Sequence, residues 1–145
     1  MSPILWPVTD LGGNRIGSVN APDTGSLALT PYTPETITGW AAGPTVACSY
    51  VPLGTKVVFV QYFIDGTSNG VSALFSLPPL GNPKAIDQWL PLSLGSTAIG
   101  ERISCYGIVP ASTPNAWFYL PGDRIGGWPV IGRKMVAGQF FYELA

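Results

Sequence analysis

Histidine is absent from this chain, and only two cysteines and eight carboxylates stand among its reactive side chains. Without His, a Ser-His-Asp or Cys-His constellation cannot be assembled within one chain. Zinc sites are built from clustered Cys and His, and Cys48 and Cys105 lie far apart in sequence. Glycoside hydrolysis needs two carboxylates across a groove. Asp10, Asp23, Glu35, Asp65, Asp87, Glu101, Asp123 and Glu143 are the candidates, and most stand beside Gly, Pro or Thr, where such groups cap turns. Asp65, Thr67 and Asn69 alternate as calcium ligands do, but no closing Glu follows at the twelfth position, and the run reads as a turn. Neither a GxxxxGK[ST] phosphate loop nor a GxGxxG run opening a helix occurs. The expectation is a chain with no catalytic residue, no cofactor site and no metal ligand, and therefore not an enzyme.

Aromatic side chains carry more information than the titratable ones. Trp40, Trp89 and Trp128 sit among Gly, Pro and loop residues, and Trp6 precedes Pro7. Indoles in such places plug the ends of a barrel, anchor a subunit interface or stack on sugar rings. Trp6, Tyr32, Trp40, Trp89 and Trp128 are the interface candidates. A sugar platform would draw on Trp40, Trp89, Trp117 or Trp128 with nearby Asn and Asp.

The elements that must position these residues read as β throughout. Only 10% of the 145 residues are charged, the formal net charge is −1, and there are 18 Gly and 15 Pro. About 25% charge is usual, so neither the basic footprint of a nucleic-acid binder nor the polarity of a disordered chain is present. Runs of apolar residues are too short for a membrane helix of about 20 residues. Residues 1–10 lack the basic and apolar regions of a signal peptide. Cys48 and Cys105 sit in apolar β-like runs, as two buried thiols or as one bridge between neighbouring strands.

Residues 1–44 hold six Pro, six Gly and only four charges, yet also Trp6, Tyr32 and Trp40. They read as an extended arm with short edge strands, lying on its own domain or reaching a neighbour. A β-sandwich domain is expected over 45–145. Residues 45–51 form a short strand. Residues 55–64 form a second strand that is apolar on both faces, as a central strand covered on both sides would be. Asp-Gly-Thr-Ser-Asn-Gly at 65–70 is a turn signal, with 71–77 as the returning partner and Phe59 in the core. Residues 78–100 read as a long connection with room for one helical turn at 84–90. Strands follow over 101–109, 116–120 and 134–144, the last with Val136, Phe140, Tyr142 and Leu144 facing inward. The fold class expected is all-β: an antiparallel sandwich or barrel of jelly-roll or Greek-key type with an extended N-terminal arm. Leu-Gly-Gly-Asn-Arg-Ile-Gly at 11–17 echoes Leu-Pro-Gly-Asp-Arg-Ile-Gly at 120–126, and Trp-Pro-Val recurs at 6–8 and 128–130. The reversed order of the two words argues against a tandem duplication.

The Pro/Gly-rich arm of 1–44, the hairpin at 55–77 and the Gly-Trp-Pro-Val-Ile-Gly loop at 127–132 together resemble small virion structural proteins of tailed bacteriophages. Capsid decoration proteins and β-sandwich head, tail and fibre domains belong to that group. The resemblance implies a location in the virion and self-association as a trimer or higher homo-oligomer. It further implies docking to other virion proteins, with a host surface glycan as a further partner in a receptor-binding variant. The alternative expectation is a carbohydrate-binding module or lectin. A third is a glycosidase, which would lose turnover on substitution of a single carboxylate.

Overall fold

The computed structural model describes the backbone of residues 5–9 and 15–20, and residues 11–12, 28–121 and 127–145 in full. Every named element among them is a β-strand, and every pairing is antiparallel. Strands β1 (Leu5–Thr9) and β2 (Arg15–Asn20) form a two-stranded ribbon. The remaining strands are β3 (Thr30–Tyr32), β4 (Ile37–Thr38), β5 (Thr45–Leu53), β6 (Val57–Thr67), β7 (Leu74–Ser76), β8 (Gln88–Ser96), β9 (Ile103–Val109), β10 (Asn115–Tyr119) and β11 (Arg133–Glu143). They form one nine-stranded sheet in the order β3-β5-β6-β11-β8-β9-β10-β7-β4.

The two edge strands are consecutive in the chain. Only residues 33–36 separate β3 from β4, and five Cα–Cα steps reach at most about 19 Å. The sheet must therefore curl until its edges meet. Tyr32 Oη donates to the carbonyl of Ser76 on β7 at 3.2 Å, Ser76 N donates to Thr36 O at 2.9 Å, and Thr36 N donates to Ser76 Oγ at 3.0 Å. The first of these bonds ties the β3 edge to the opposite edge of a barrel-like, all-β fold, and the other two extend the β4–β7 pairing. Residues 28–44 thus supply both edges of the sheet and place Trp40 in the core.

One face of the curled sheet is the core. Val58, Val60, Tyr62 and Ile64 of β6 alternate inward and meet Val136, Phe140 and Tyr142 of β11. The inward face read for the last strand is the observed one at these three β11 positions. Tyr62 occupies the centre, its ring 5.1 to 5.7 Å from those of Phe75, Phe118 and Phe140. Its hydroxyl shares a hydrogen bond with the buried Ser93. Gly138 on β11 makes room for it, since a Cβ there would lie 2.9 Å from Tyr62 Oη. Burial raises the Tyr62 phenol above its ordinary value and pushes the thiols of Cys48 and Cys105 up to about 11 and about 12. Both cysteines are free and buried.

Three local expectations are corrected. The hairpin at 55–77 does not form: β6 continues through Thr67, and β7 pairs with β10 and β4. Asp65 has a partner on β11, since Arg133 Nε and Nη2 donate to its two oxygens at 2.9 and 3.0 Å. That pair keeps the Asp-Gly-Thr run in the ladder, and the chain crosses the barrel only after it. The tight hairpin is β5–β6, which turns beyond Leu53 with Gly54 at φ 74°. Secondly, 78–100 contains the nine-residue strand β8 and no helix. Pro91 is tolerated there because the β8–β9 register shifts between Leu90 and Ser93. Thirdly, Phe59 points away from the core, half-buried on the outer face.

Candidate assembly surface

The outer face of β5, β6 and β11 is built in cross-strand rows. Alternation places Val51, Phe59 and Phe141 in one row, Ser49, Gln61 and Gln139 in the next, and Ala47, Phe63 and Ala137 in a third. Neighbouring strands lie about 4.8 Å apart, so residues within a row touch. The rings of Phe59 and Phe141 are 5.0 Å apart, and Phe141 is 59% exposed. Gln61 and Gln139 are exposed, and their amides have no hydrogen-bond partner among the described residues. A shallow depression of about 620 Å³ runs over this middle row, from Pro31 beside Ser49 to Gln139.

Charge is confined to the two ends of the face. Asp65 and Arg133 pair at one end, and Lys84 and Glu143 pair at the other. The outward positions of β5, β6 and β11 between those pairs carry no charged residue.

A second exposed region adjoins it. β8 and β11 are in register only over Leu94–Ser96 against Met135–Ala137. Further along, the Gln88 side chain stands in for a backbone unit. Its Nε2 donates to Glu143 O at 2.9 Å, and its Oε1 accepts from Glu143 N at 2.6 Å. The splay opens a cleft of about 310 Å³, flanked by Val57, Ile86, Trp89 and Phe141. Ile86 and Trp89 are 62% and 73% exposed. Across β8, β9 and β10, Trp89 lies in one row with Ile108 and Trp117, and Tyr106 in the next with Tyr119.

The candidate residues chosen from sequence therefore separate. Trp89 is exposed. Tyr32 is half-buried and stacked edge-on against Tyr50, with ring centres 5.6 Å apart. Trp40 and Trp128 are buried in the core. Trp6 belongs to β1, and its side chain lies outside the described residues, as do most of the 11–17 and 120–126 echoes.

The two buried indoles bracket Lys134, which sequence reading left on a strand without a role. Its ammonium lies 5.3 Å from the Trp40 ring centre and 5.9 Å from that of Trp128. It donates to the carbonyls of Gly39 and Gly70 at 2.7 Å and of Ser72 at 2.6 Å. Trp40 Nε1 donates back to Lys134 O at 2.8 Å, and Trp128 Nε1 donates to Phe118 O at 3.1 Å. Burial pushes the lysine down to about 8. Gly39 permits this closeness: it sits at φ 104°, and a Cβ there would collide with Ser72 O. The signal for Lys134 was its even spacing with Val136, Phe140 and Tyr142 on the inward face. A lysine in that pattern must find acceptors.

The described carboxylates have structural partners at four positions. Besides Asp65 and Glu143, Asp87 Oδ1 accepts from Ala111 N at 2.9 Å, and Glu101 Oε2 accepts from Thr97 Oγ1 at 2.9 Å. Among the described residues, no group of three metal-ligating side chains converges. No helix of the described chain is long and apolar enough to cross a membrane. No protein-family model, no curated protein and no solved structure matches this chain.

Proposed function

We propose that this chain is a structural subunit of a virus particle, acting through self-association as a trimer or higher oligomer and through docking to other particle proteins. The observation that carries this reading is the outer face of β6 and β11. Among the described residues, an uncharged surface with Phe141 exposed and Phe59 and Phe63 half-buried is left uncovered. Exposed apolar groups bordered by polar ones, as the Phe59–Phe141 row is by the Gln61–Gln139 row, mark association surfaces. The resemblance supplies the virion setting through the 1–44 arm and the 127–132 loop, without the 55–77 hairpin, which does not form.

Two measurements test it. Light scattering at tens of micromolar should give a native mass of three or more times 15.3 kDa; a monomer overturns the reading. Peptides of this chain should also be recovered from density-purified particles, and their recovery from the soluble lysate alone would remove the virion half.

Exposed Trp89 and Tyr106, with the half-buried Trp117 and Tyr119 on the same face, favour a second reading, a carbohydrate-binding platform on β8–β10. Glycan-dependent protection of tryptophan fluorescence from a soluble quencher, in a monomeric chain, would move the weight to it.

A further inference from the structure

We infer that the Gln61–Gln139 pair is the centre of the surface through which one copy of this chain meets another. The inference rests on the assembly reading above and specifies its contact. The occupant is argued from charge. A surface that meets its own copy meets its own charges, and like charges brought together repel. This face avoids the conflict, because its ion pairs lie at the two ends and its middle is uncharged.

The hydrogen-bonding groups point the same way. Each primary amide carries two donors and an acceptor, so an amide of one copy can pair with an amide of another. A lysine or a glutamate cannot pair with its own copy in this manner. Gln61 and Gln139 stand directly opposite one another on adjacent strands, and both amides lack a partner among the described residues. The rows on either side present Phe59 with Phe141 and Phe63. Those rings exclude water around the amides once a second copy is seated, and a buried amide without a partner is costly. The polar row therefore fixes register, while the aromatic rows supply burial.

The test replaces both amides by near-isosteric carboxyls, Gln61→Glu with Gln139→Glu. Native mass is read by sedimentation at about pH 8 and about pH 4, on either side of a carboxylate pair raised by mutual repulsion from the ordinary value near 4.3. Wild type should remain associated at both. The double variant should fall to the 15.3 kDa of one chain at the higher pH, with its circular dichroism unchanged. It should reassociate at the lower pH, where a protonated carboxyl again donates and accepts. Thr38→Glu, an added charge at an exposed position of edge strand β4, away from β6 and β11, should behave as wild type. A double variant that stays associated at the higher pH, or that fails to reassociate at the lower, overturns the inference and leaves the assembly reading standing. Dissociation by Thr38→Glu overturns it as well, since any added charge would then suffice. A monomeric wild type overturns both.

Discussion

The two faces of the β6–β11 ladder are built from similar residues and meet different fates. Inside, Val58, Val60, Tyr62, Ile64, Val136, Phe140 and Tyr142 are all but sealed from solvent. Outside, Phe59, Gln61, Phe63, Gln139 and Phe141 share the same register and stay open or half-open. The difference is closure. Curling the sheet covers one face with its own far half and leaves the other uncovered by the described strands. Apolar residues on both sides of a strand thus do not by themselves report that its own chain seals both sides.

Substitutions on the two faces should separate accordingly. The largest effect is expected inside. Phe118→Ala removes a ring packed on Tyr62 and Phe75 and should lower unfolding free energy by about 3–5 kcal/mol in denaturant titration; a loss near that of a surface change would break the distinction.

Lys134→Met comes next, at about 2–3 kcal/mol, because Ser72 O loses its donor inside the core. This position adds a pH signature. The folded value lies near 8 and the unfolded near 10.5, so between those limits the unfolded chain binds more protons. Wild-type stability should therefore gain a rising contribution with pH across that window, and Lys134→Met should lack it. Parallel melts at both limits read the difference.

Gln88→Ala should cost about 1–2 kcal/mol, the worth of two hydrogen bonds to the Glu143 backbone. Amide exchange at Glu143 should quicken with it.

The smallest change in fold stability is expected outside. Phe141→Ala, on a half-exposed ring, should alter chain stability by less than about 1 kcal/mol while lowering the native mass at a given concentration. If it destabilised the chain as much as Phe118→Ala, the outer face would belong to the core.

How much of this was legible varies by element. The all-β class followed from short apolar runs and turn residues. The inward face of β11 followed from alternation, which is a local property of an extended chain. The turn was placed too early because Asp-Gly is a turn signal only when nothing across the sheet holds it, and Arg133 holds Asp65; the chain bends at Asn69-Gly70. Strand β8 was hidden by Pro91, which a bulge accommodates. The Gly and Pro neighbours of Trp40 and Trp128 left barrel plug, interface anchor and sugar platform open; burial around Lys134 selects the first and removes both as interface candidates.

Composition and alternation, acting through backbone geometry, determined from sequence alone that this chain is a charge-poor β-protein with apolar residues on both faces of its central strand. Which strands are neighbours, which face is sealed and which aromatic residues remain open were decided only by the tertiary structure. Those outcomes depend on pairings between residues tens of positions apart, such as Asp65 with Arg133 and Tyr32 with Ser76. Local spacing carries no record of them.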